Sequence, residues 1–358
     1  MDKQNDSRSV YYQMKAIERI LAKEQPQKLK ESQKEMWKAI EAYLKTHSAQ
    51  EHQINKFGVL KANSWQGHKK GDYLLGNTYQ RAIKEGVKVR PIRCHNKELR
   101  RVQRKLLPLF DLPCRWQHGF TIGQGIENAV NPYLDAISGS LILVDLENAF
   151  NQISRFQIQR MLEVIFKVNR ESAKAFSKLM CDQNGYLFQG NPLAPAIFNI
   201  LSCQIGWELL KMNTDGKRKI VEVSQYADDI TVMYIENYIP YTELRRVCTL
   251  IDFLGWKSNP KKCKRKKLSE TGRILGIYRT GNYLICSNQR AFHKQLRLWK
   301  HLTQKGVTET RRLAKDGKQI RIESMQQGIK AWLTYCKRIT SNPRLISLTT
   351  TSCIGLDF

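Results

Sequence analysis

The sequence has no long apolar run and few acidic residues. No stretch of the 358 residues approaches the ~18 consecutive apolar residues that a membrane-spanning helix requires. No secretory signal opens the chain, which favours a cytoplasmic protein. These absences make an anionic membrane a weaker choice of partner than a nucleic acid.

Closely spaced cysteine pairs are also missing. None of the nine cysteines forms a C-x-x-C motif, which argues against a zinc ribbon and against a disulfide framework. We therefore expect free thiols in a reducing compartment. The nine are Cys94, Cys114, Cys181, Cys203, Cys248, Cys263, Cys286, Cys336 and Cys353.

Acidic residues are outnumbered almost two to one. Lysine and arginine total 60 against 32 aspartates and glutamates, giving a net charge of +28. A bias of this size predicts a polyanionic partner, with nucleic acid favoured. The length suggests two or three domains.

Two of the scarce acids are adjacent, within Val221 to Tyr234 (VEVSQYADDITVMY). The β-branched and aromatic runs on either side predict a hairpin with Asp228 and Asp229 at its turn. Neighbouring carboxylates repel and are costly to desolvate, so an ordinary core would exclude them, whereas a divalent cation removes that objection. Because side chains alternate along a strand, only one of the two readily faces a given metal.

A second ligand is predicted at Asp145. It lies in the apolar run LILVDLENAF, which is typical of a buried strand that delivers its acid at one end of a sheet. Carboxylates gathered in this way can hold two Mg²⁺ ions roughly 3.5 to 4 Å apart in a phosphoryl-transfer site, where Mn²⁺ can substitute. A large separation of Asp145 from Asp228, or an ion-paired lysine that fills the gap between them, would overturn the enzymatic interpretation and leave only a cationic scaffold.

Three motifs occur together in one order. They are Asp145-x-x-x-Ala149-Phe150, then Gln189-Gly190-x-Pro192-x-x-Pro195-x-x-x-Asn199, then Tyr226-Ala227-Asp228-Asp229. In types, order and spacing they resemble the reverse transcriptases of bacteria and mobile introns. The resemblance covers about residues 57 to 340 and implies RNA-directed DNA polymerase activity on an RNA template, with dNTPs, a primer and Mg²⁺.

The resemblance also implies an α+β, right-hand polymerase fold. Its fingers would span 57–140, its palm, an antiparallel sheet backed by helices, 141–287, and its helical thumb 288–358. Residues 1–56 would form a helical N-terminal extension, because apolar positions recur at helical spacing on both sides of Pro26. This extension is either an accessory surface for RNA or a partner, or a structural prop for the next domain.

Further site residues follow from the resemblance. Lys88 and Arg90 share one face of a basic strand, as expected of side chains that bind the triphosphate of a nucleotide. Phe150 matches the aromatic residue beneath the nucleotide sugar, where a ring excludes a ribose 2′-OH. Gln189, Gly190 and Tyr226 match positions at the nascent base pair and nucleotide.

Two later motifs complete the set. Lys262, in Asn259-Pro260-x-Lys262, matches a lysine near the triphosphate that could protonate the leaving pyrophosphate. Leu275 and Gly276 match the primer-grip hairpin.

The subclass stays open between retron, intron and defence-associated enzymes. The motif at Gln189 is retron-like, Ala149-Phe150 is closer to intron and defence-associated enzymes, and Asn131 stands where a retron histidine is expected. We favour a stand-alone enzyme of phage defence that works with a cognate noncoding RNA, with a homo-oligomer or an accessory protein as further partners. The alternatives are a maturase-like RNA-binding protein without chemistry, and a polymerase of ribonucleotides, which Phe150 disfavours.

Overall fold

The computed structural model describes residues 7–47, 56–61, 73–74, 89–94, 97–130, 133, 138–182, 184–212, 219–268, 273–274, 277–280, 283–286, 304, 309–310 and 320–321. Contacts divide the chain into two units. One unit comprises residues 1–129 with 138–267, and the other comprises 130–137 with 268–358.

The first unit begins with two helices, α1 (Ser7–Glu24) and α2 (Pro26–His47). They are separated at Gln25, because a proline lacks the amide hydrogen that would continue the first helix. The predicted pair of amphipathic helices with a break beside Pro26 is confirmed.

A small antiparallel sheet follows, with strand order β2-β1-β3. Its strands are β1 (Lys56–Lys61), β2 (Tyr73–Leu74) and β3 (Val89–Cys94). Arg90 lies in β3, as the basic-strand prediction requires, whereas Lys88 lies outside the described residues. Helices α3 (Lys97–Phe110) and α4 (Ile126–Val130) come next.

The central sheet has strand order β5-β6-β4-β7, with every pair antiparallel. Its strands are β4 (Ser140–Asp145), β5 (Ile220–Tyr226), β6 (Asp229–Tyr234) and β7 (Lys264–Lys267). The apolar run before Asp145 forms the buried inner strand, as predicted. The edge strand β7 reads KRKK, and such charges discourage a sheet edge from pairing with other chains.

Four helices accompany this sheet: α5 (Arg155–Val164), α6 (Arg170–Met180), α7 (Ala194–Lys211) and α8 (Tyr241–Phe253). Helix α7 packs on β5, and α8 packs on α7 and β7. Helix α8 ends before Gly255, whose φ of 88° is a left-handed conformation that favours glycine at the end of a helix. The α+β class and the antiparallel sheet with helices against it are confirmed.

The two N-terminal helices belong to the core of this unit. Helix α1 packs on α5 and α7, and α2 packs on α3 and α6. Met14, Ile17 and Leu21 of α1, with Met36 and Ile40 of α2, are completely buried. The extension is therefore a structural prop along its apolar faces. No helix in the described ranges is both long and apolar enough to cross a membrane.

The second unit contains two small antiparallel sheets. Strands β8 (Arg273–Ile274), β9 (Ile277–Thr280) and β10 (Tyr283–Cys286) form one, and β11 (Glu309–Thr310) pairs with β12 (Ile320–Arg321). Ile274 pairs with Ile277, which fits the predicted primer-grip hairpin, although Leu275 and Gly276 lie outside the described residues. Strands β11 and β12 were not predicted, and the helical thumb segments lie outside the described residues.

Candidate active site

The hairpin that carries the adjacent acids forms as predicted. Tyr226 at the end of β5 pairs with Asp229 at the start of β6, so Ala227 and Asp228 make a two-residue turn. Ala227 has a φ of 57°, a left-handed conformation that costs a residue with a Cβ roughly 1–2 kcal/mol. The surrounding structure must therefore hold this turn in place.

The sheet brings Asp145 to the same turn. In the antiparallel register Asp145 is the partner of Asp229, and the next residue, Leu146, donates its backbone N–H to the carbonyl oxygen of Asp228 at 2.9 Å. Acids that are far apart in the sequence thus meet at one end of the central sheet. The large separation that would have opposed the metal hypothesis is absent.

The crowding of charge shows in the titration of Asp229. Burial, followed by the negative charges of Asp228 and Asp145, raises the pKa of the Asp229 carboxyl from about 4 to about 6, against the opposing charges of Lys262 and Lys264. The two neighbouring carboxylates repel a further negative charge on Asp229. A divalent cation at this edge would relieve the same repulsion.

Lys262 approaches Asp145 from the loop after α8. The backbone N–H of Asn259 donates to the Asp145 carbonyl at 2.8 Å, and that of Lys262 donates to the Asn259 carbonyl at 3.0 Å. This turn directs the Lys262 side chain to Asp145, where Nζ lies 2.6 Å from Oδ1. The sequence did predict a lysine beside the reacting groups.

The ion pair is also the arrangement that was expected to oppose a metal site. Its contact is with Asp145, and the lysine side chain is 46% exposed, so the pair is close to the surface and only weakly stabilising. A flexible ammonium group on one carboxylate oxygen can move aside for a doubly charged ion. The pair therefore weakens the metal hypothesis without excluding it.

Few side chains at this edge of the sheet are available to bind a metal ion. Within the described ranges, no group of three or more His, Cys, Asp or Glu side chains is arranged to hold a metal ion. Mg²⁺ does not require such a cage, because it usually binds one or two carboxylates and completes its shell with water and substrate phosphates. Asp145 and Asp228 can supply these carboxylates. Asp229 is the strand partner of Asp145.

Phe150 lies in a 3₁₀ turn, Ala149–Gln152, just beyond Asp145. Its ring is half-buried, with its centroid 6.1 Å from that of Phe120 and 5.7 Å from that of Phe198 on α7. These two ring contacts restrict the position of the Phe150 side chain. The turn places an aromatic side chain five residues after the first acid, as the sugar-exclusion prediction requires.

Gln189 and Gly190 precede α7. Gly190 is exposed with a φ of 104°, a conformation that glycine adopts without strain and that leaves the backbone open to a ligand. Helix α7 begins at Ala194 without a side-chain cap. Asn191 partly replaces that cap, because its Oδ1 accepts a hydrogen bond from the Leu193 N–H at 2.9 Å.

A buried amide cluster behind the hairpin was not predicted. Gln225 donates from Nε2 to Ser202 Oγ at 2.8 Å and to the Ala227 carbonyl at 3.2 Å. Gln117 donates to the Asn199 carbonyl at 2.7 Å and to Gln225 Oε1 at 3.3 Å. The only signal in the sequence is a glutamine among the apolar residues of β5. This cluster ties the strained turn to α7 and to the segment before α4.

Gly119 makes the closest approach to the turn. A Cβ on this glycine would lie 2.2 Å from the backbone nitrogen of Ala227 and 2.8 Å from the carbonyl carbon of Tyr226. Backbone atoms cannot rotate away as a side chain can. The segment before α4 therefore contacts the backbone of the hairpin turn at Gly119, where only a glycine fits.

The chain matches the family described as reverse transcriptase (RNA-dependent DNA polymerase) over residues 82–278, which is more than half of its length. It belongs to that family. The matched segment contains the central sheet, the hairpin acids and Lys262. No curated protein matches the chain.

Two telomerase structures are similar at low identity. A Candida albicans telomerase in complex with a fragment of telomeric RNA is 12% identical, with a TM-score of 0.40, and the alignment covers 76% of this chain and 55% of that one. An apo telomerase from Candida tropicalis, truncated from its C-terminal domain, is 12% identical, with a TM-score of 0.38 and coverages of 68% and 57%. The chain thus spans just over half the length of these telomerase chains.

Replacing Gly119 by alanine should displace the hairpin. We expect Gly119→Ala to lower the free energy of unfolding by about 3 kcal/mol, at the upper end of overpacking effects, because the added methyl group meets backbone atoms. Hydrogen exchange at the Leu146 amide should also accelerate, since its acceptor is the carbonyl of Asp228 in the displaced turn. Chemical denaturation and exchange mass spectrometry measure the two effects.

Gly123→Ala is the matched control in the same segment. A Cβ there meets nothing within 4 Å, and the φ of 79° imposes a backbone penalty of about 1 kcal/mol. Equal destabilisation by both substitutions, with normal exchange at Leu146, would contradict the role given to Gly119.

Proposed function

We propose that this protein is an RNA-directed DNA polymerase that copies an RNA template into cDNA. The observation that carries the proposal is the antiparallel register that pairs Asp145 with Asp229 beside the Asp228 turn, inside the segment that matches the reverse transcriptase family. A binding protein without chemistry would gain nothing from repelling carboxylates on a chain of net charge +28.

The domain assignment is part of the proposal. Residues 57–140 would serve as fingers, 141–287 as palm and 288–358 as thumb, with 1–56 as the helical extension. The central antiparallel sheet, with α7 packed on β5 and α8 packed on β7, supports the palm assignment. Lys88 and Arg90 of the fingers would bind the nucleotide triphosphate, and Leu275 with Gly276 would grip the primer.

Asp145 and Asp228 would hold the divalent metal, with Asp229 in support. Bound there, a pair of Mg²⁺ ions would activate the primer 3′-OH and stabilise the charge of the leaving group, and Mn²⁺ would substitute. The strong local repulsion among the three acids supports this assignment, because it disappears when a cation binds.

Lys262 would act on the leaving pyrophosphate. Its ammonium group can hold a proton beside the reacting phosphates and release it to the departing oxygen. Its present contact with Asp145 supports this role, because it places Nζ at the edge where the triphosphate must lie.

Phe150 would select deoxyribose. Its ring contacts those of Phe120 and Phe198, which restricts its movement away from a 2′-OH and so favours dNTPs over ribonucleotides. Tyr226 would contact the nucleotide from the start of the turn. Gln189 and Gly190 would lie against the nascent base pair, where an exposed glycine lets the backbone approach closely.

We place the enzyme in the cytoplasm, and the free thiols of five cysteines support this: Cys114, Cys181, Cys203, Cys248 and Cys263. We further propose that it works in phage defence with a cognate noncoding RNA, based on its departures from the retron and intron patterns. Deleting an adjacent noncoding RNA gene should abolish both cDNA synthesis and protection. Unchanged cDNA and protection would refute this role.

Asp228→Ala should abolish primer extension. Loss of one of the two metal-facing carboxylates removes several kcal/mol of transition-state stabilisation, so we expect the extension rate on an RNA template with dNTPs to fall at least about a hundredfold. Gel analysis of extended primer at saturating Mg²⁺ measures the rate.

Glu171→Gln is the charge-matched control, because Glu171 is an exposed acid in the first turn of α6. Its activity should equal that of the unmodified protein. Equal product from Asp228→Ala would end the metal hypothesis, and a wild-type protein that binds RNA without extending a primer would support the maturase-like alternative. Product formed only with ribonucleotides would contradict the role of Phe150.

Lys262→Ala separates a proton donor from a simple counter-ion. If Lys262 protonates the leaving group, kcat should fall about a hundredfold, as for loss of a general acid, while the Mg²⁺ concentration for half-maximal rate stays the same or falls. Titration of Mg²⁺ in steady-state extension assays measures both quantities.

Lys261→Ala provides the control, since the adjacent exposed lysine carries the same charge. It should leave kcat within twofold of the unmodified value. A Lys262→Ala protein with unchanged or higher kcat would show that the lysine only competes with metal for Asp145.

A further inference from the structure

The central sheet has a second end, remote from the acids. Tyr234 pairs with Ser140 and Ile220, and Ser140 pairs with Lys267, so these four residues form the last row across the sheet. The row lies five residues along β6 from Asp229, which corresponds to about 17 Å. A ligand bound at this end would not touch the candidate active site.

Two exposed tyrosine rings and two guanidinium groups contact each other near this end. Arg245 is exposed, whereas Arg265 is half-buried and pairs with Ile142, two residues in from the last row. Tyr238 is 67% exposed and Tyr241 is 53% exposed. The guanidinium carbon of Arg265 lies 6.0 Å from the ring centroid of Tyr238 and 5.8 Å from that of Tyr241, and Arg245 lies 4.9 Å from the Tyr241 ring. We call these four residues the arginine–tyrosine surface.

The arginine–tyrosine surface is fixed by its supports. Arg265 lies on the edge strand β7 and donates a hydrogen bond from Nη1 to the carbonyl oxygen of Ile239, which holds its guanidinium group between the two rings. Tyr241 and Arg245 are one turn apart on α8. These supports therefore restrict the positions of the rings and guanidinium groups.

The local charge favours an anionic ligand. Lys219 and Lys267 are exposed at the same end of the sheet. Of the acids nearby, Glu243 is 8% exposed and already accepts a hydrogen bond from the Tyr234 hydroxyl at 3.1 Å, with Arg246 3.8 Å away. Glu236 accepts from the Lys219 backbone N–H at 3.2 Å. One oxygen of Glu236 and one of Glu243 are therefore hydrogen-bonded, and the two lysines are exposed.

We propose that the arginine–tyrosine surface is a docking site for single-stranded nucleic acid, separate from the polymerase site. Aromatic faces accept stacked bases of any sequence, and guanidinium planes stack on bases and pair with phosphates. Basic side chains around the rings supply the electrostatic attraction. This inference does not require polymerase activity.

The surface fits nucleic acid better than a protein. The lysines and arginines give this end of the sheet a positive field, which suits the phosphates of a nucleic acid. Val221 and Ile235 are also exposed at this end, so the choice of nucleic acid rests on the positive charge and on the π faces of the exposed tyrosines.

The decisive experiment measures binding. We expect Tyr238→Ala with Tyr241→Ala to weaken the affinity for fluorescein-labelled U20 RNA and dT20 DNA about tenfold in anisotropy titrations, because two stacking faces are lost. The slope of log K against log salt should not change, since no cation is removed. Arg245→Ala should instead reduce that slope by about 1.

Two further variants serve as controls. Tyr11→Ala with Tyr12→Ala removes another pair of exposed tyrosines in mutual contact, on α1, and should leave the affinity unchanged. Tyr238→Phe with Tyr241→Phe keeps the rings and should bind like the unmodified protein. Extension of a short annealed primer should stay within twofold in all of these variants, because the substitutions lie far from the acids.

The outcomes separate the possibilities. Weaker binding of RNA alone, or of RNA and DNA alike, supports the docking site and identifies its ligand. Unchanged affinity for both, equal losses in the α1 control, or a loss of self-association in place of nucleic-acid binding would each overturn it. A protein that binds as expected but never extends a primer would refute the proposed function and leave this inference standing.

Discussion

Repulsion between like charges is the constraint on which this structure depends. Asp145, Asp228 and Asp229 meet at one end of the central sheet, where burial and the negative charges of the other two raise the pKa of the Asp229 carboxyl. Lys262 offsets part of this repulsion by its contact with Asp145. The excess of basic residues along the chain acts in the same direction over longer distances. Because such a cluster is electrostatically unfavourable, its presence indicates that negative charge at that edge of the sheet serves a function.

The rest of the first unit supports the cluster mechanically. The Ala227 turn is strained, and buried amides from β5, from α7 and from the segment before α4 hold it against relaxation. The aromatic contacts of Phe150 with Phe198, and of Phe198 with Trp256, join the neighbouring turn to the loop that carries Lys262. The acids, the ring and the lysine therefore share one packed foundation, so a shift in α7 would disturb all three together.

Much of this arrangement could be predicted from the sequence. Hairpin residues, the apolar strand before Asp145 and the break at Pro26 are local patterns, and local patterns determine elements of this kind. The ion pair of Lys262 with Asp145 and the Gln117–Gln225 contact could not be predicted in the same way. They depend on which strands become neighbours and on side-chain directions across the sheet, and polar residues at buried positions give no periodic signal. Strand order β5-β6-β4-β7 likewise follows from packing rather than from any single segment.

The seating of α1 and α2 has a practical consequence for work with this protein. Their apolar faces pack against α3, α5, α6 and α7, so these helices form part of the hydrophobic core. A shortened protein that starts at β1 would expose a large hydrophobic surface, and such surfaces cause aggregation. Affinity tags and fluorescent fusions at this end therefore belong before Ser7, with the helical pair left whole.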